Sequence, residues 1–270
     1  MSKVRQFYDR SAEYEWNRLE RHRMEYAVTM RALADYLPPA PAAILDIGGG
    51  PGRYAIALAK QGYRPTLFDL TPGLLAFART KAEEEGVALA DIICGNALAL
   101  PFPDATFDAV LLMGPLYHLL AEADRRRAVQ EAFRVLKPGG VCVASFICRY
   151  APFRDAATRF TDWVAAKPAE VDDFFRTGRL VAGPESVFTD AYFIHPNDVR
   201  PLMEGNGFDS IDLMGVEALV DHIEEQVNQL TGDAWDAWVE INYRAGKDPC
   251  LHGGSSHLLW VGRRPDLRLQ

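Results

Sequence analysis

The chain has 270 residues, of which 49% are hydrophobic and 24% are charged, the composition of an ordinary globular protein. This composition excludes a disordered, collagen-like or coiled-coil chain, and the length favours one α/β domain with a modest addition. Acidic residues outnumber basic ones 37 to 29, and the resulting charge of −8 argues against a surface that neutralises nucleic acid. A small molecule is therefore the expected partner.

The four cysteines form no C-x-x-C pair and no zinc-like spacing with the six histidines, so we expect reduced thiols and no metal site. The first residues are densely charged, and the longest uncharged hydrophobic run is too short to span a bilayer. These features predict a cytoplasmic protein without a secretory signal or membrane anchor, either a monomer or a homodimer.

An N-terminal helical lid is predicted over residues 1–37. Apolar residues recur there at helical spacing and stop at two prolines: Tyr26, Met30, Leu33 and Leu37, then Pro38 and Pro39. Between residues 8 and 23, aromatic side chains alternate with charges, a pattern that suits a lid over a cleft as well as a solvated surface helix. We expect Tyr8, Tyr14 and Trp16 to meet the substrate.

A βαβ series is predicted over residues 38–148. Unbroken apolar runs indicate strands covered on both faces, at residues 43–47, 66–69, 91–94, 107–113 and 141–147. Helices fit between them at residues 53–61, 74–85 and 123–136. The last helix is followed by Lys137-Pro138-Gly139-Gly140, which is typical of a helix stop.

The rest of the chain is predicted to complete the sheet around an insertion. Residues 149–195 are rich in aromatic side chains and carry two interrupted helical segments. Residues 196–270 predict a helix at 196–205, a strand at 208–216, an acidic helical stretch at 217–244 and a strand at 256–262. The predicted fold is a doubly wound, seven-stranded, mostly parallel α/β sheet with an antiparallel last strand and helical lid elements.

The most informative segment is a glycine-rich loop between the first strand and the next helix, Asp46-Ile47-Gly48-Gly49-Gly50-Pro51-Gly52-Arg53. Glycines there let the backbone turn tightly and bring helix N–H groups close to a ligand. A dinucleotide fingerprint fails because Arg53 stands where its third glycine belongs, and a phosphate-binding Walker loop lacks its Gly-Lys-Ser/Thr.

The loop instead reads D-x-G-x-G-x-G, and here the sequence resembles the class I S-adenosylmethionine-dependent methyltransferases, in particular the ubiquinone and menaquinone biosynthesis type. The resemblance spans about residues 40–150 and has further ordered signals: Asp69 ending the second strand, Gly95-Asn96-Ala97 after the third, Phe107-Asp108 opening the fourth and Arg134 to Gly140 before the fifth. It implies a Rossmann-like methyltransferase fold with S-adenosyl-L-methionine as cofactor, and an acceptor pocket formed by the N-terminal segment and the residues after 150.

The cofactor is expected to contact Asp46, Gly48, Gly49, Gly50, Gly52, Asp69, Leu70, Asn96, Ala97 and Met113. Asp69 is placed to accept hydrogen bonds from both ribose hydroxyls, although an Asp before Thr71-Pro72 also suits a helix cap. Asp46 lies in an apolar strand and either meets the ligand's ammonium group or braces the loop. The family commonly has an acidic residue where this chain has Asn96, whose amide oxygen still accepts a hydrogen bond from adenine.

Catalytic and acceptor-binding residues are expected beyond the carboxyl ends of the strands, where ligands bind open α/β sheets. His118 follows the fourth strand and is the predicted base, with Tyr117 orienting the acceptor; the alternative is a capping histidine and a packed tyrosine. Further side chains expected at the acceptor are Arg149, Tyr150, His195 and His257.

The predicted function is transfer of a methyl group from S-adenosylmethionine to O, N or C of a small metabolite. Three alternatives stay open at this point: cyclisation or alkyl transfer on the same fold, methylation of nucleic acid, and non-catalytic regulation by the bound cofactor. Residues 217–248 hold eight acidic and two basic side chains, which disfavours the nucleic-acid alternative.

Overall fold

A computed structural model describes residues 3–9, 11–183, 188–221 and 223–266. Within these ranges, seven strands form one sheet and two short strands pair separately. The sheet strands are β1 Ala43–Ile47, β2 Arg64–Asp69, β3 Asp91–Cys94, β4 Phe107–Leu112, β5 Leu136–Ile147, β8 Asp209–Gly215 and β9 His257–Arg263; the separate pair is β6 Arg179–Leu180 with β7 Ala191–Tyr192.

The strand order is β3-β2-β1-β4-β5-β9-β8. The first five strands in that order pair in parallel, whereas β9 runs antiparallel to both of its neighbours. This confirms the prediction of a mostly parallel, doubly wound sheet with an antiparallel last strand. The order reverses direction between β1 and β4, the point at which open α/β sheets bind their ligands.

Helices cover both faces of the sheet. Their bounds are α1 Lys3–Tyr8, α2 Ala12–Arg21, α3 Arg23–Tyr36, α4 Arg53–Lys60, α5 Pro72–Glu84, α6 Glu122–Val135, α7 Ala151–Arg159, α8 Trp163–Ala166, α9 Pro168–Thr177, α10 Pro196–Glu204, α11 Glu224–Val227, α12 Gly232–Gly246 and α13 Pro249–His252. Single 3-10 turns span Pro115–His118 and Ala218–Val220. None of the helices in the described ranges is long and apolar enough to cross a membrane.

Alternation along the strands divides the core into two layers. Leu45 and Val110 are fully buried on the face where α6 packs, while Ile44 and Leu111 are fully buried on the face where α3 packs. Successive side chains of a strand point to opposite faces, so an unbroken apolar run is what a sheet covered on both sides requires. Leu33 of α3 belongs to the second layer and anchors the N-terminal helices to the sheet.

Three segments differ from the sequence prediction. The residues read as a helix stop, 137–140, belong to β5, which starts directly after α6; Gly139 adopts a φ of +76° there. The stretch 217–244, predicted as helical, is divided into a 3-10 turn, α11 and α12. Gly232, at a φ of +57°, starts α12 with a sharp change of direction.

The insertion at 149–195 contains three helices and the β6–β7 pair, where the sequence predicted two helical segments. Its aromatic side chains form a small core of their own around Phe174 and Phe193. Residues 184–187 of the insertion lie outside the described ranges, as do residues 1, 2 and 10 of the lid.

Candidate functional site

A cavity of about 510 Å³ lies at the carboxyl ends of β1, β2 and β4 and is covered by the N-terminal helices. Its volume is in the range of small-molecule binding sites. The predicted residues that line it are Tyr8, Tyr14, Asp46, Gly48, Gly49, Gly50, Asp69, Leu70, Asn96, Ala97, Met113, Tyr117, His118 and His257. The structure therefore brings together the strand ends that the sequence pointed to.

The glycine loop forms one wall of the cavity and is packed too tightly for side chains. A Cβ atom at Gly49 would lie 2.5 Å from Leu67 Cδ1 and would also collide with the carboxylate of Asp46. One at Gly48 would lie 2.5 Å from Pro115 Cδ, and its φ of +74° favours glycine as well. Gly52, also predicted to contact the cofactor, is the N-cap residue of α4 and does not line the cavity.

Asp46 is a buried carboxylic acid at the end of β1, beneath the loop. Neither of its carboxyl oxygens has a hydrogen-bond partner among the described residues. Burial and the negative charge of Asp69 raise the pKa of Asp46 to about 7. The nearby Ala55 amide lowers this pKa in part, although its contact with the carboxyl group does not have the geometry of a hydrogen bond. A buried carboxyl group without a partner is costly, so the site favours a cationic or hydrogen-bond-donating ligand at this point.

Asp69 ends β2 and ties two backbone segments of the site together. Its Oδ2 accepts a hydrogen bond from the Gly50 amide at 3.0 Å, and its Oδ1 accepts one from the Thr71 amide at 2.8 Å. Burial raises the pKa of Asp69, while these amides pull it down. The helix-cap alternative is not what the structure shows, because Thr71 is the N-cap residue of α5 and Asp69 accepts from the Thr71 amide ahead of the helix. Each carboxylate oxygen has a second lone pair, so Asp69 can hold both amides and still meet a ligand.

Asn96 follows β3 and lines the cavity with Ala97. Its side-chain oxygen accepts a hydrogen bond from the Leu98 amide at 3.0 Å, which fixes the orientation of the amide group. The side-chain NH₂ group makes no hydrogen bond to a described residue. Asn96 can therefore both donate to a ligand and accept through the second lone pair of its oxygen.

Tyr117 and His118 lie on the 3-10 turn that follows β4. Burial raises the pKa of Tyr117 to about 12 and lowers the pKa of His118 to about 4. Nε2 of His118 lies 3.0 Å from the hydroxyl of Tyr8, and Nδ1 lies 3.3 Å from the carbonyl oxygen of Asp190. The neutral imidazole thus has a protein partner at both nitrogens. The catalytic roles of His118 and Tyr117 stay predictions.

Four of the seven residues predicted to meet the acceptor do not line the cavity. Trp16 packs against Phe77 under the guanidinium of Arg53, and Arg149 pairs with Asp198 at 3.8 Å. His195 caps α10 by accepting from the Asn197 amide, and Tyr150 packs against its ring. These four residues lie in the lid or after β5, the two regions predicted to form the acceptor pocket, but their side chains point into neighbouring elements.

Tyr8, Tyr14 and His257 do line the cavity. Tyr14 lies at its rim, with 63% of its surface exposed and the Arg21 guanidinium 4.0 Å from its ring centre. His257, the first residue of β9, lies deeper and belongs to a polar cluster described next.

A buried cluster of charged side chains, Arg18, Glu25, Glu217 and His257, adjoins the cavity and was missed in the sequence. Arg18 donates two parallel hydrogen bonds to Glu25, at 2.6 and 2.8 Å, and His257 Nδ1 lies 2.5 Å from Glu217 Oε1. The members come from α2, α3, the segment just after β8 and the start of β9. No local motif links them, because only the folded sheet brings residues 25, 217 and 257 together.

The cluster holds its members in charged states. Burial raises the pKa of Glu25, but Arg18 and His257 outweigh this and bring it down to about 2. Burial lowers the pKa of His257, but the carboxylates of Glu25 and Glu217 outweigh it and raise it to about 9. Two cations then balance two anions, as buried charges require.

Glu25, Glu217 and His257 could each offer one atom to a metal ion, because these atoms lie within 4.8 Å of one another. However, Arg18 already occupies both oxygens of Glu25, and Glu217 accepts from His257 and from Ser255. These contacts are those of an ion-pair cluster.

The part of the chain that carries the glycine loop is similar in sequence to known proteins. Residues 45–144 match a family model described as a methyltransferase domain. Demethylmenaquinone methyltransferase of Thermus thermophilus is 40% identical over 112 residues, which are 41% of this chain and 49% of that protein. The chain spans about half the length of these curated relatives.

Solved structures extend the similarity of the fold to most of the chain. A SAM-dependent methyltransferase from Methanosarcina mazei has a TM-score of 0.60 and 20% identity, covering 87% of this chain and 97% of its own. A cyclase has a TM-score of 0.57 and 19% identity, covering 88% of this chain and 80% of its own. At these identities the similarity shows the fold alone. Residues 45–144 therefore match a methyltransferase domain in sequence, and the described fold is similar to that of SAM-dependent methyltransferases of known structure.

Proposed function

We propose that this protein transfers a methyl group from S-adenosylmethionine to a small-molecule acceptor. The observation that carries the proposal is the buried carboxyl group of Asp46, which has no hydrogen-bond partner among the described residues and lies beneath a glycine loop that leaves no room for side chains. Both features face one lidded cavity. A loop of this kind, in a domain that matches the methyltransferase family, suits a ligand with a cationic amino acid part.

The residues at the strand ends fit this cofactor. Asp46 offers its carboxyl group to an ammonium group, and Asp69 offers an open lone pair on each oxygen to the ribose hydroxyls. Asn96 and Ala97 line the cavity, and the Asn96 side chain and the Ala97 amide can form hydrogen bonds with the adenine ring. When bound, the cofactor supplies an electrophilic methyl group on a sulfonium. The side chains of the protein then have to align the acceptor, exclude water and take up a proton.

The lid supports an acceptor of small size. Helices α1 to α3 cover the cavity, and Phe7, Tyr8 and Phe188 form an aromatic part of its wall. The chain is acidic overall, which disfavours a nucleic-acid acceptor. The proposal divides the chain into four parts: a lid at 1–37, a cofactor-binding core at 38–148, an insertion at 149–195 and a C-terminal completion of the sheet at 196–270. It also includes a monomer or homodimer in the cytoplasm.

The acceptor need not be a quinone, although the name of the Thermus relative refers to demethylmenaquinone. The family match ends at residue 144, whereas Arg18, Glu25 and His257 on the acceptor side lie outside it. These charged residues place polar groups beside the cavity, and an acceptor with a polar reacting end would meet them.

The proposal is tested with S-adenosylmethionine that carries a deuterated methyl group. The purified protein is incubated with this cofactor and a metabolite extract, and the low-mass fraction is analysed by mass spectrometry. We expect one or more small products that contain the label. One molecule of S-adenosylhomocysteine should form for each methyl group transferred. Label that enters added DNA or RNA instead, or cofactor consumed without transfer of the methyl group, would contradict it.

A further inference from the structure

Resting on the proposed function, we propose that His257, held in place by Glu217, accepts the proton that the acceptor loses during methylation. The acceptor would then carry an O–H or N–H group at the reacting atom. Glu217 stands just after β8 and His257 begins β9, so two adjacent strands position the pair at the cavity. The predicted base, His118, lies on a different strand end, after β4.

The geometry leaves one ring nitrogen of His257 for a ligand. Nδ1 lies 2.5 Å from Glu217 Oε1, while Glu217 Oε2 accepts from the Ser255 hydroxyl at 2.7 Å and from the His257 amide at 2.8 Å. Glu217 therefore has little freedom to turn, and it fixes the proton on Nδ1. Nε2 has no hydrogen-bond partner among the described residues. The side chain is 22% exposed, and it lines the cavity.

The other histidines of the cavity are less suited to this task. His118 has a partner at each ring nitrogen, Tyr8 on one side and the Asp190 carbonyl on the other. His22 lies opposite Glu224, with Nδ1 3.0 Å from a carboxylate oxygen, but 43% of its side chain is exposed. His257 combines a buried orienting carboxylate with an open nitrogen, which is the arrangement that a general base requires.

The charges around His257 decide when it can act as a base. Glu217 faces it from the segment just after β8, Glu25 from α3 with an oxygen 3.8 Å from Nδ1, and Arg18 from α2 behind Glu25. With both carboxylates close, the pKa of His257 is about 9, so the imidazole is protonated at neutral pH in the empty protein. A positive charge that enters the same cavity disfavours the imidazolium and lowers this pKa. Binding of a sulfonium cofactor thus increases the fraction of His257 that is neutral and able to accept a proton at Nε2.

For an O–H acceptor, the proposed step moves one proton to His257 and one methyl group to the acceptor oxygen. The acceptor's O–H bond breaks and its proton goes to Nε2 of His257, while an oxygen electron pair forms the new bond to the methyl carbon. The bond from that carbon to sulfur breaks, and its electron pair stays on sulfur, leaving a neutral thioether. Glu217 stabilises the imidazolium that forms, and the proton then leaves to solvent.

The first test follows the pKa of His257 by NMR of histidine-labelled protein, with the signal assigned from His257→Gln. S-adenosylmethionine and S-adenosylhomocysteine form a matched pair, since they differ by one methyl group and one positive charge. A unit charge about 10 Å away, at an effective dielectric constant of about 20, moves a pKa by about one unit. We expect the pKa to be well above 6.5 in the empty protein and to fall further with S-adenosylmethionine than with S-adenosylhomocysteine. His252, which does not line the cavity, serves as the internal control.

Equal pKa values of His257 with the two ligands would overturn the proposal, as would an ordinary pKa in the empty protein. In Glu217→Gln, which keeps the size of the side chain and removes its charge, the pKa of His257 should be lower than in the wild type. If neither ligand binds, the proposed function fails instead, whereas the titration of the empty protein still reports on the pair.

The second test uses the labelled product identified above. His257→Gln should bind S-adenosylhomocysteine as the wild type does but form the product at least about a hundredfold more slowly. Glu217→Gln should shift the rising limb of the pH–rate profile to lower pH, a change that a merely structural role would not produce. Turnover of His257→Gln within a few-fold of the wild type would overturn the proposal.

Discussion

The phenol of Tyr8 and the imidazole of His118 join the first helix to the turn after β4, with the hydroxyl oxygen and Nε2 3.0 Å apart. The rings also meet edge to face, with centroids 5.4 Å apart. Because Nδ1 of the same imidazole lies 3.3 Å from the Asp190 carbonyl oxygen, three parts of the chain meet at His118. These parts are the lid, the sheet and the insertion. The contact therefore joins the lid to the residues that line the cavity.

Tyr8→Phe removes the hydroxyl donor and keeps the ring. We expect the lid to open more often, because the variant leaves Nε2 of the buried His118 without its partner. Backbone amides of α1 should exchange with deuterium faster, and S-adenosylhomocysteine should dissociate several-fold faster. Tyr14→Phe is the matched control, since Tyr14 is mostly exposed at the rim. Unchanged exchange in α1 of Tyr8→Phe would show that the contact does not hold the lid.

His118→Ala distinguishes two roles of His118: holding the lid in place through Tyr8, and acting as a general base. Burial lowers the pKa of His118 to about 4, so its titration lies below the range in which the enzyme would be assayed. We expect turnover to fall only several-fold in this variant, with the shape of the pH–rate profile between about pH 6 and 9 unchanged. A loss of about a hundredfold, together with disappearance of the acidic limb, would restore the base role predicted from the sequence.

Much of the fold could be predicted because its signals are local. Unbroken apolar runs gave the strands of the parallel core, and glycines and prolines marked where helices stop. The breaks inside the helical 217–244 stretch were not predicted, because its acidic, apolar pattern continues across Thr231-Gly232, where α12 begins. Residues 137–140 look like a helix stop, but the backbone beyond a stop is free to pair, and here it starts β5.

The cofactor side of the site was predictable for the same reason: the glycine loop, Asp69 and Asn96 follow strands whose ends meet at one edge. The acceptor side was not. Whether Trp16 or Tyr14 faces the cavity depends on how α2 rotates against α5, and periodicity leaves this undetermined. The Glu217–His257 contact joins residues 40 positions apart through strand pairing and has no signal in either segment.

Asp69→Ala should weaken binding of S-adenosylhomocysteine by about tenfold or more. The variant removes the hydrogen bonds proposed to the ribose, each worth about 1.5 to 3 kcal/mol when a charged group takes part. It also releases the Gly50 and Thr71 amides that Asp69 now holds. Calorimetric titration measures the affinity, and Asp104→Ala, an exposed aspartate outside the cavity, is the matched control. Wild-type affinity in folded Asp69→Ala would move the ribose contact to another residue.

The stability of the protein should fall above neutral pH through His257. Its pKa is raised from 6.5 to about 9 on folding, so the folded state binds more protons than the unfolded state between these values. The stabilisation is full below about pH 6.5 and is lost as the pH rises through about 9. This loss amounts to about 3 kcal/mol at most.

Urea unfolding of the wild type and of His257→Gln at several pH values measures this dependence. The difference in unfolding free energy between the two proteins should shrink from pH 7 to pH 10. His252→Gln is the control, because burial lowers the pKa of that histidine and takes its titration out of this range. A difference that stays constant with pH would contradict the assignment of a protonated His257.

Calorimetric titration of the wild-type protein with S-adenosylhomocysteine and, separately, with NAD tests the central assignment most directly. The loop lacks the third glycine of a dinucleotide fingerprint, and Asp46 offers its buried carboxyl group to a cation that NAD does not present in an amino acid part. We predict saturable binding of S-adenosylhomocysteine at one site per chain and no heat from NAD. Binding of NAD with no response to S-adenosylhomocysteine would contradict the account.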